Sequence, residues 1–202
     1  MVPVRNEDAR SKRVALVSSC VLNGNNKVQE LSRYPGACRP ILDLLMEYDI
    51  GIMQMDCPET LYLGITRWSA TKNLYDTPGY RRHCRKLAQK QADYIQCYYD
   101  AGYEVVAIFW INGSPSCGCG ITCFDERWGG TPMDMGDDST FVEGDGVFVE
   151  ELMKELEERQ MQKPYNYGLD LEDMSVSIET ICSKLKDFLE KRKEDAVWKH
   201  RS

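Results

Sequence analysis

Hydrophobic positions divide the chain into short continuous apolar runs and longer amphipathic segments. Apolar runs occupy residues 14–17, 50–55 and 105–111, and the last is continuous and rich in β-branched and aromatic side chains. A run like the last is typical of a strand buried on both faces of a sheet. Each run is followed within a few residues by small polar residues and a cysteine. We therefore predict three strands with similar ends.

The amphipathic segments predict helices between and after these strands. Apolar residues repeat at helical spacing after Pro40, after Thr77-Pro78, over 147–161 and over 176–193. The predicted buried face of the second helix comprises Tyr80, Cys84, Leu87, Tyr94, Ile95 and Tyr98. Alternating strands and helices favour right-handed crossovers and a parallel sheet. The expected fold is α/β, a Rossmann-like three-layer domain with a short, mostly parallel sheet and helices on both faces.

The length of 202 residues favours one domain. We place it at 14–190, after a flexible N-terminus (1–13) and before a frayed tail (191–202). The Gly-, Asp- and Met-rich segment 122–146 has no clear period and is predicted to be a long ordered loop or lid. Residues 164–168 are predicted to be a turn or an irregular link.

Charge and hydropathy exclude several classes of protein. The net charge of -7 argues against a general nucleic-acid-binding protein, and the basic cluster within 81–90 is interpreted as a solvated helix face. No apolar run approaches the roughly 20 residues of a membrane helix, and residues 1–13 lack the apolar core of a signal peptide. We expect a cytoplasmic protein that does not bind membranes, and a homodimer is left open.

The nine cysteines fall into groups. In a reducing compartment they are not expected to form a disulfide framework. Four are expected to be ordinary core residues: Cys38, Cys84, Cys97 and Cys182. Cys20, Cys57 and Cys117 each follow a predicted parallel strand, so they should converge at the carboxyl edge of the sheet, where open α/β folds bind ligands. Cys119 and Cys123 lie in one loop with Cys117, and a role for them in metal binding or in handling sulfur is left open.

Six short motifs resemble those of the DUF523 family, which includes the thiouracil desulfidases. In order along the chain they are Ser-Cys-Val-Leu (19–22), Arg-Tyr-Pro-Gly (33–36), Cys-Pro-Glu (57–59), Gly-Ile-Thr-Arg (64–67), Ser-Pro-Ser-Cys-Gly (114–118) and Gly-Asp-Gly-Val (144–147). The resemblance covers most of 14–161. Departures surround the expected substrate pocket: Pro35 replaces an aspartate, the loop before Arg33 is longer, and Leu-Tyr-Leu-Gly (61–64) replaces Gly-Gly-Leu.

The resemblance implies an enzyme that holds a [4Fe-4S] cluster through Cys20, Cys57 and Cys117 and leaves the fourth iron without a protein ligand. Such an iron would bind the sulfur of a small thiolated nucleobase or related heterocycle, and water would replace that sulfur. The expected activity is a hydrolytic desulfidase without net redox change.

Several polar residues near these cysteines are candidates for the chemistry. Glu59 is the candidate acid/base, although a carboxylate satisfied by backbone amides at a helix start is the alternative. Ser114 and Ser116 are further catalytic candidates, to orient the base or to donate to cluster sulfides, against simple turn chemistry at Pro115. Candidate substrate-binding residues are Asn112, Arg67 and Arg33, the last also as a loop anchor. Buried strand packing is the favoured interpretation of Trp110.

Two other functions remain open. A sulfur-carrier or tRNA-thiolation protein would use the same iron to deliver hydrosulfide, and it would need a basic surface around the pocket. A non-enzymatic protein would hold a structural zinc or redox cluster with four ligands, and Cys119 or Cys123 would complete the set.

Overall fold

The computed structural model describes residues 8–129 and 141–194. The strands are β1 (Arg13–Ser18), β2 (Gly51–Met55), β3 (Glu104–Ile111), β4 (Ile121–Cys123), β5 (Phe141–Glu143) and β6 (Tyr165–Leu169). The helices are α1 (Ser19–Leu22), α2 (Arg39–Glu47), α3 (Pro58–Leu63), α4 (Lys72–Tyr75), α5 (Pro78–Asp100), α6 (Val147–Glu158) and α7 (Ile178–Glu194), with a short 3-10 helix at Gly24–Asn26.

The main sheet has four parallel strands in the order β2-β1-β3-β6. Helices α5 and α6 pack together on one face, and α2 and α7 pack together on the other. This arrangement confirms the predicted Rossmann-like three-layer α/β fold. The chain passes from β1 to β2 on one side and then crosses to β3 on the other side of β1. Folds with such a reversal place their ligands in the crevice at the carboxyl ends of the two strands concerned.

Strands β1 and β3 are buried on both faces because a helix layer covers each side. In β1, Val14 and Leu16 face the α5–α6 layer, whereas Ala15 and Val17 face the α2–α7 layer. The pairing of β1 with β3 shifts by one residue after Val14, at a β-bulge. Continuous apolar runs are what burial on both faces requires, so the sequence pattern and the packing agree.

The fourth strand, β6, corrects the prediction of a turn or irregular link at 164–168. It is a partly exposed edge strand of five residues in which Leu169 alone is buried, so it lacks the apolar run that marks the central strands. Strand β6 packs closely against the end of β3, since a Cβ added to Gly168 would lie 1.8 Å from Oδ1 of Asn112, the residue that follows β3. Pairing with β3, and not local propensity, makes this segment a strand.

The predicted loop at 122–146 also contains regular structure, because β4 and β5 pair as an antiparallel two-stranded sheet. Residues 130–140 lie outside the described part of the chain, and so do 1–7 and 195–202. The flexible N-terminus and frayed tail predicted at 1–13 and 191–202 therefore fall largely outside it. Residues 191–194 belong to helix α7.

Helix α5 begins where predicted, with Thr77 Oγ1 accepting a hydrogen bond from the Tyr80 backbone amide over 3.3 Å. The buried face of this helix includes Ala88 and Ile95. Helical geometry turns the chain by about 100° per residue, which carries Tyr94 and Cys97 away from that face. Both are exposed, so their predicted burial is wrong.

No helix within residues 8–129 and 141–194 is both long enough and apolar enough to cross a bilayer.

Candidate functional site

The three cysteines at the ends of the predicted strands come together in the structure. Cys20 lies in α1 directly after β1, Cys57 precedes α3 after β2, and Cys117 lies in the turn after β3. All three line one cavity of about 460 Å³ at the carboxyl edge of the sheet. The parallel order of the strands is the reason that cysteines 37 to 97 positions apart share a cavity.

Burial keeps these thiols protonated when no metal is bound. It raises the pKa of Cys20 to about 12. Burial and the Glu59 carboxylate raise the pKa of Cys57, and burial and the thiols of Cys57 and Cys20 raise the pKa of Cys117. Thiolates in such a place need a positively charged partner. Within residues 8–129 and 141–194, however, no group of three or more His, Cys, Asp or Glu side chains is positioned to hold a metal ion.

Glu59 occupies the first turn of α3, two residues after Cys57, and is only 6% exposed. Its Oε2 atom accepts hydrogen bonds from Arg67 Nε over 2.9 Å and from the Tyr75 hydroxyl over 3.4 Å. The partners that the structure shows for Glu59 are thus side chains, not the backbone amides of a helix start. Glu59 lines the cavity beside Cys57.

Arg67 also lines the cavity, but the protein itself occupies its donors. Besides Glu59, its guanidinium donates to Thr60 Oγ1 over 3.1 Å, to the Gly64 carbonyl over 3.4 Å and to the Asn26 carbonyl over 2.8 Å. These bonds join α3 to the loop that follows Cys20. The sequence suggested that Arg67 binds substrate. The geometry better fits a residue that positions Glu59.

The turn 114–118 presents Cys117 to the cavity. Ser114 Oγ accepts hydrogen bonds from the backbone amides of Ser116 and Cys117, over 3.3 and 3.1 Å, and Ser114 lines the cavity. Ser116 is fully buried behind the turn, where its hydroxyl shares a hydrogen bond of 2.8 Å with Tyr80. Ser114 is therefore placed for contact with a ligand, and Ser116 is placed to support the turn.

The start of helix α6 is hydrogen-bonded to the same turn. Backbone amides of Gly146, Val147 and Phe148 donate to carbonyls within 115–118, over 2.8 to 3.0 Å. A Cβ on Gly118 would lie 2.4 Å from the Ile121 carbonyl oxygen, and one on Gly146 would lie 2.4 Å from the Ser116 carbonyl carbon. The motifs at 114–118 and 144–147 thus form one packed unit.

Two predicted substrate-binding residues lie away from the cavity lining. Asn112 Nδ2 donates to Asp170 Oδ1 over 2.8 Å and supports the end of β6. Arg33 lines a neighbouring surface cavity, and its guanidinium donates to the carbonyls of Asp173 and Val176 over 3.0 and 2.6 Å. Arg33 thus anchors the loop, which is the second role considered for it. Trp110 is fully buried, as expected.

The remaining cysteines separate clearly. Cys38 and Cys84 are buried in the two cores, as predicted, and Cys182 packs partly buried against one of them. Cys123 is buried and lines the cavity, whereas Cys119 is half-buried against the α5–α6 core. Of the two cysteines left open by the sequence, Cys123 is the one at the site.

Sequence reasoning missed a buried ion pair at the cavity. Lys27 Nζ lies 2.6 Å from Glu172 Oε1, and both residues line the cavity together with Cys20. Lysine is almost never fully buried unless paired, and here its partner lies 145 positions away, beyond β6. Because residues 164–168 were not predicted to be a strand, nothing in the sequence placed Glu172 near the cysteines.

Comparison with known proteins gives one match that is similar enough to assign the chain to a family. The chain is 32% identical over 178 residues to the "uncharacterized protein MJ0003" of Methanocaldococcus jannaschii, which covers 88% of this chain and 99% of the archaeal protein. The chain belongs to the same family as MJ0003. No family model matches the chain, and no solved structure matches it. The relationship to MJ0003 spans nearly the full length of both proteins and so is not confined to the cysteine motifs.

Proposed function

We propose that the protein is a hydrolytic desulfidase of the DUF523 type, which removes sulfur from a small thiolated nucleobase or related heterocycle. The observation that carries the proposal is the cavity that three half-buried thiols share with the buried carboxylate of Glu59. Each of the three thiols comes from the end of a different parallel strand. We place the activity in the cytoplasm, where reducing conditions keep such thiols free.

The donor set fits a [4Fe-4S] cluster held by Cys20, Cys57 and Cys117. Thiolates are the soft ligands that iron–sulfur clusters use, and a cluster offers a separate iron to each thiolate, so its ligands need not meet at one point as those of a single ion must. The positive irons would also stabilise thiolates that burial otherwise keeps protonated. When bound, the cluster supplies a fourth iron without a protein ligand, a Lewis acid for the substrate sulfur.

Glu59 carries the proton transfers in this proposal. Oε2 is held by Arg67 and Tyr75, and Oε1 accepts none of the hydrogen bonds described for residues 8–129 and 141–194. Oε1 takes a proton from water as the water oxygen attacks the thiocarbonyl carbon. The protonated Glu59 gives this proton to the sulfur as the C–S bond breaks, and the remaining proton of the attacking water is released to solvent as the new C=O bond forms. The products are the oxo compound, hydrosulfide and one proton, and no atom changes oxidation state, so no oxidant or reductant is needed.

The cavity suits a small, uncharged substrate. Its charged lining residues are two cations, Lys27 and Arg67, and three carboxylates, Glu59, Glu172 and Asp173, so the lining disfavours anions even before any thiolate is counted. A volume of about 460 Å³ is that of a small-molecule site. Three of the five lysine and arginine residues of α5 pair with carboxylates, which reduces the basic surface of this helix: Arg81, Arg85 and Lys90. These observations favour a heterocycle over tRNA.

The first test measures iron and sulfide after anaerobic purification. We expect about four irons per chain in the wild type and a loss of most iron in Cys20→Ala, Cys57→Ala and Cys117→Ala. Cys38→Ala, which removes a buried thiol that does not line the cavity, is the matched control and should keep its iron. Unchanged iron in Cys57→Ala would contradict the three-ligand site. Zinc in place of iron, with equal loss in Cys123→Ala, would support the four-ligand structural alternative.

The second test measures sulfide release from 2-thiouracil and related compounds by the iron-loaded protein. Glu59→Gln should keep its iron but lose about a hundredfold or more of the rate, the usual contribution of general acid–base catalysis. Full activity in this variant would remove Glu59 from the mechanism. Absence of sulfide release from every thio-heterocycle by iron-loaded wild type would overturn the proposed activity.

A further inference from the structure

The Lys27–Glu172 pair differs from an ordinary surface ion pair in its burial and its position. The side chain of Lys27 is 3% exposed and that of Glu172 is 18% exposed. Lys27 lies in the loop after α1, and Glu172 lies in the segment after β6, so the pair closes the cavity on the side of Cys20. Removing two charges from water is costly. Neither residue lies in a strand, so the sheet does not require this pair.

Both members of the pair keep unused hydrogen-bonding capacity. An ammonium group has three donors, and the one hydrogen bond described for Lys27 Nζ goes to Glu172 Oε1. Among the described residues, Lys27 is also the one donor to Glu172, which leaves Oε2 free as an acceptor. The cavity wall therefore presents a donor and an acceptor side by side, in the same cavity as Cys20, Cys57 and Cys117.

This pattern complements the edge of a cyclic amide. A lactam presents a carbonyl oxygen, which accepts, next to a ring N–H, which donates. An anionic ligand fits poorly, since Glu172 and Glu59 would repel it, and a purely apolar ligand would leave the other donors of Lys27 Nζ and the Oε2 atom of Glu172 without hydrogen-bond partners. A neutral ring with a C(=O)–NH edge satisfies both groups at once.

We propose that Lys27 and Glu172 form the recognition site for the substrate ring, with Lys27 Nζ donating to a ring carbonyl oxygen and Glu172 accepting from the adjacent ring N–H. This inference deepens the proposed function and rests on it. It narrows the substrate class to thio-heterocycles that carry a lactam edge in addition to the thiocarbonyl. A site that hydrogen-bonds a ring N–H rejects analogues that lack it, because the Oε2 atom of Glu172 then has no donor in the occupied cavity.

The test measures equilibrium binding by calorimetry, with anaerobically purified full-length protein and two sulfur-free probes. Uracil has the lactam edge, and 1,3-dimethyluracil keeps the carbonyls but lacks both N–H groups. The variants are Lys27→Met, Glu172→Met and the double substitution, which avoids leaving one buried charge alone. Lys163→Met, which breaks an exposed ion pair with Glu157, is the matched control.

We expect wild type and Lys163→Met to bind uracil at least tenfold more tightly than dimethyluracil. Hydrogen bonds to charged groups predict that each single substitution weakens uracil binding by about tenfold to a hundredfold. In Glu172→Met the preference for uracil over dimethyluracil should fall towards one. If the single variants fail to fold, as judged by circular dichroism, the double variant and the wild-type probe pair still decide the result.

Equal binding of both probes by wild type, no uracil binding by wild type, or unchanged uracil binding in the double variant would each overturn the recognition site. Its failure is distinguishable from failure of the proposed activity. If the double variant releases sulfide from 2-thiouracil with wild-type kcat and KM, the desulfidase stands and the recognition site falls. If wild type binds uracil through the pair but releases no sulfide, the recognition site stands and the desulfidase falls.

Discussion

Arg67 Nε donates to Glu59 Oε2 over 2.9 Å, in an ion pair whose side chains are 4% and 8% exposed. The same guanidinium donates to the carbonyl of Asn26, the residue before Lys27. One cation thus fixes the carboxylate beside Cys57 and the loop that carries the lysine beside Cys20. The two walls of the cavity are coupled through Arg67.

Replacing Arg67 should destabilise the protein strongly. In Arg67→Met the Glu59 carboxylate is left buried, with the Tyr75 hydroxyl as its one remaining partner among the described residues, and loss of one member of a buried pair costs about 3–5 kcal/mol. Urea denaturation of the iron-free protein measures this change. The double variant Arg67→Met with Glu59→Gln removes both charges and should recover part of the loss.

The control is Lys154→Met, which breaks the exposed pair with Glu158, where the side chains are 58% and 60% exposed. It should change the free energy of unfolding by less than about 1 kcal/mol. Equal effects in Arg67→Met and Lys154→Met would show that the buried pair does not stabilise the cavity wall.

Gly118 and Gly146 should not tolerate even alanine. In each case the added Cβ would meet backbone atoms at 2.4 Å, and backbone cannot move without displacing the turn that presents Cys117. Overpacking of this kind costs about 1–3 kcal/mol, and the iron content should fall with it. Thermal unfolding and iron analysis check both effects.

Gly36→Ala is the matched control, because no heavy atom lies within 4 Å of the Cβ that it adds. It should unfold at nearly the wild-type temperature. A Gly118→Ala protein that kept wild-type stability and iron would mean that the close packing of the turn is not required.

The stability of the iron-free protein should fall as the pH rises above about 9. Burial in the α5–α6 core raises the pKa of Cys84 from 9.0 to about 12. Between these two values the unfolded chain has released the proton that the folded chain still holds. Rising pH therefore favours the unfolded state, by about 1.4 kcal/mol per pH unit from this one thiol.

The comparison variant is Cys84→Ala, which lacks the titrating group. Urea denaturation at pH 8.5, 9.5 and 10.5 should give a steeper loss of stability for wild type than for the variant. Parallel pH profiles for the two proteins would contradict the assigned shift.

The central part of the fold was predictable because burial leaves a regular pattern of apolar residues in the sequence. Strands β1 and β3, which are covered on both faces, have continuous apolar runs, and helices α2, α5, α6 and α7 have apolar residues at helical spacing. The parallel order of β1, β2 and β3 placed three cysteines at one edge. Strand β6 had no such pattern, since an edge strand that is half exposed needs little apolar surface.

By itself, the sequence determined the layers, the parallel sheet and the meeting of Cys20, Cys57 and Cys117, because periodicity and strand direction are local properties whose consequences extend through the whole sheet. The tertiary structure alone decided the partners: Arg67 on Glu59, Ser116 behind its turn, Asn112 and Arg33 away from the cavity, and Lys27 against Glu172. Side-chain pairing between distant segments depends on packing in three dimensions, and no repeat along the chain records it.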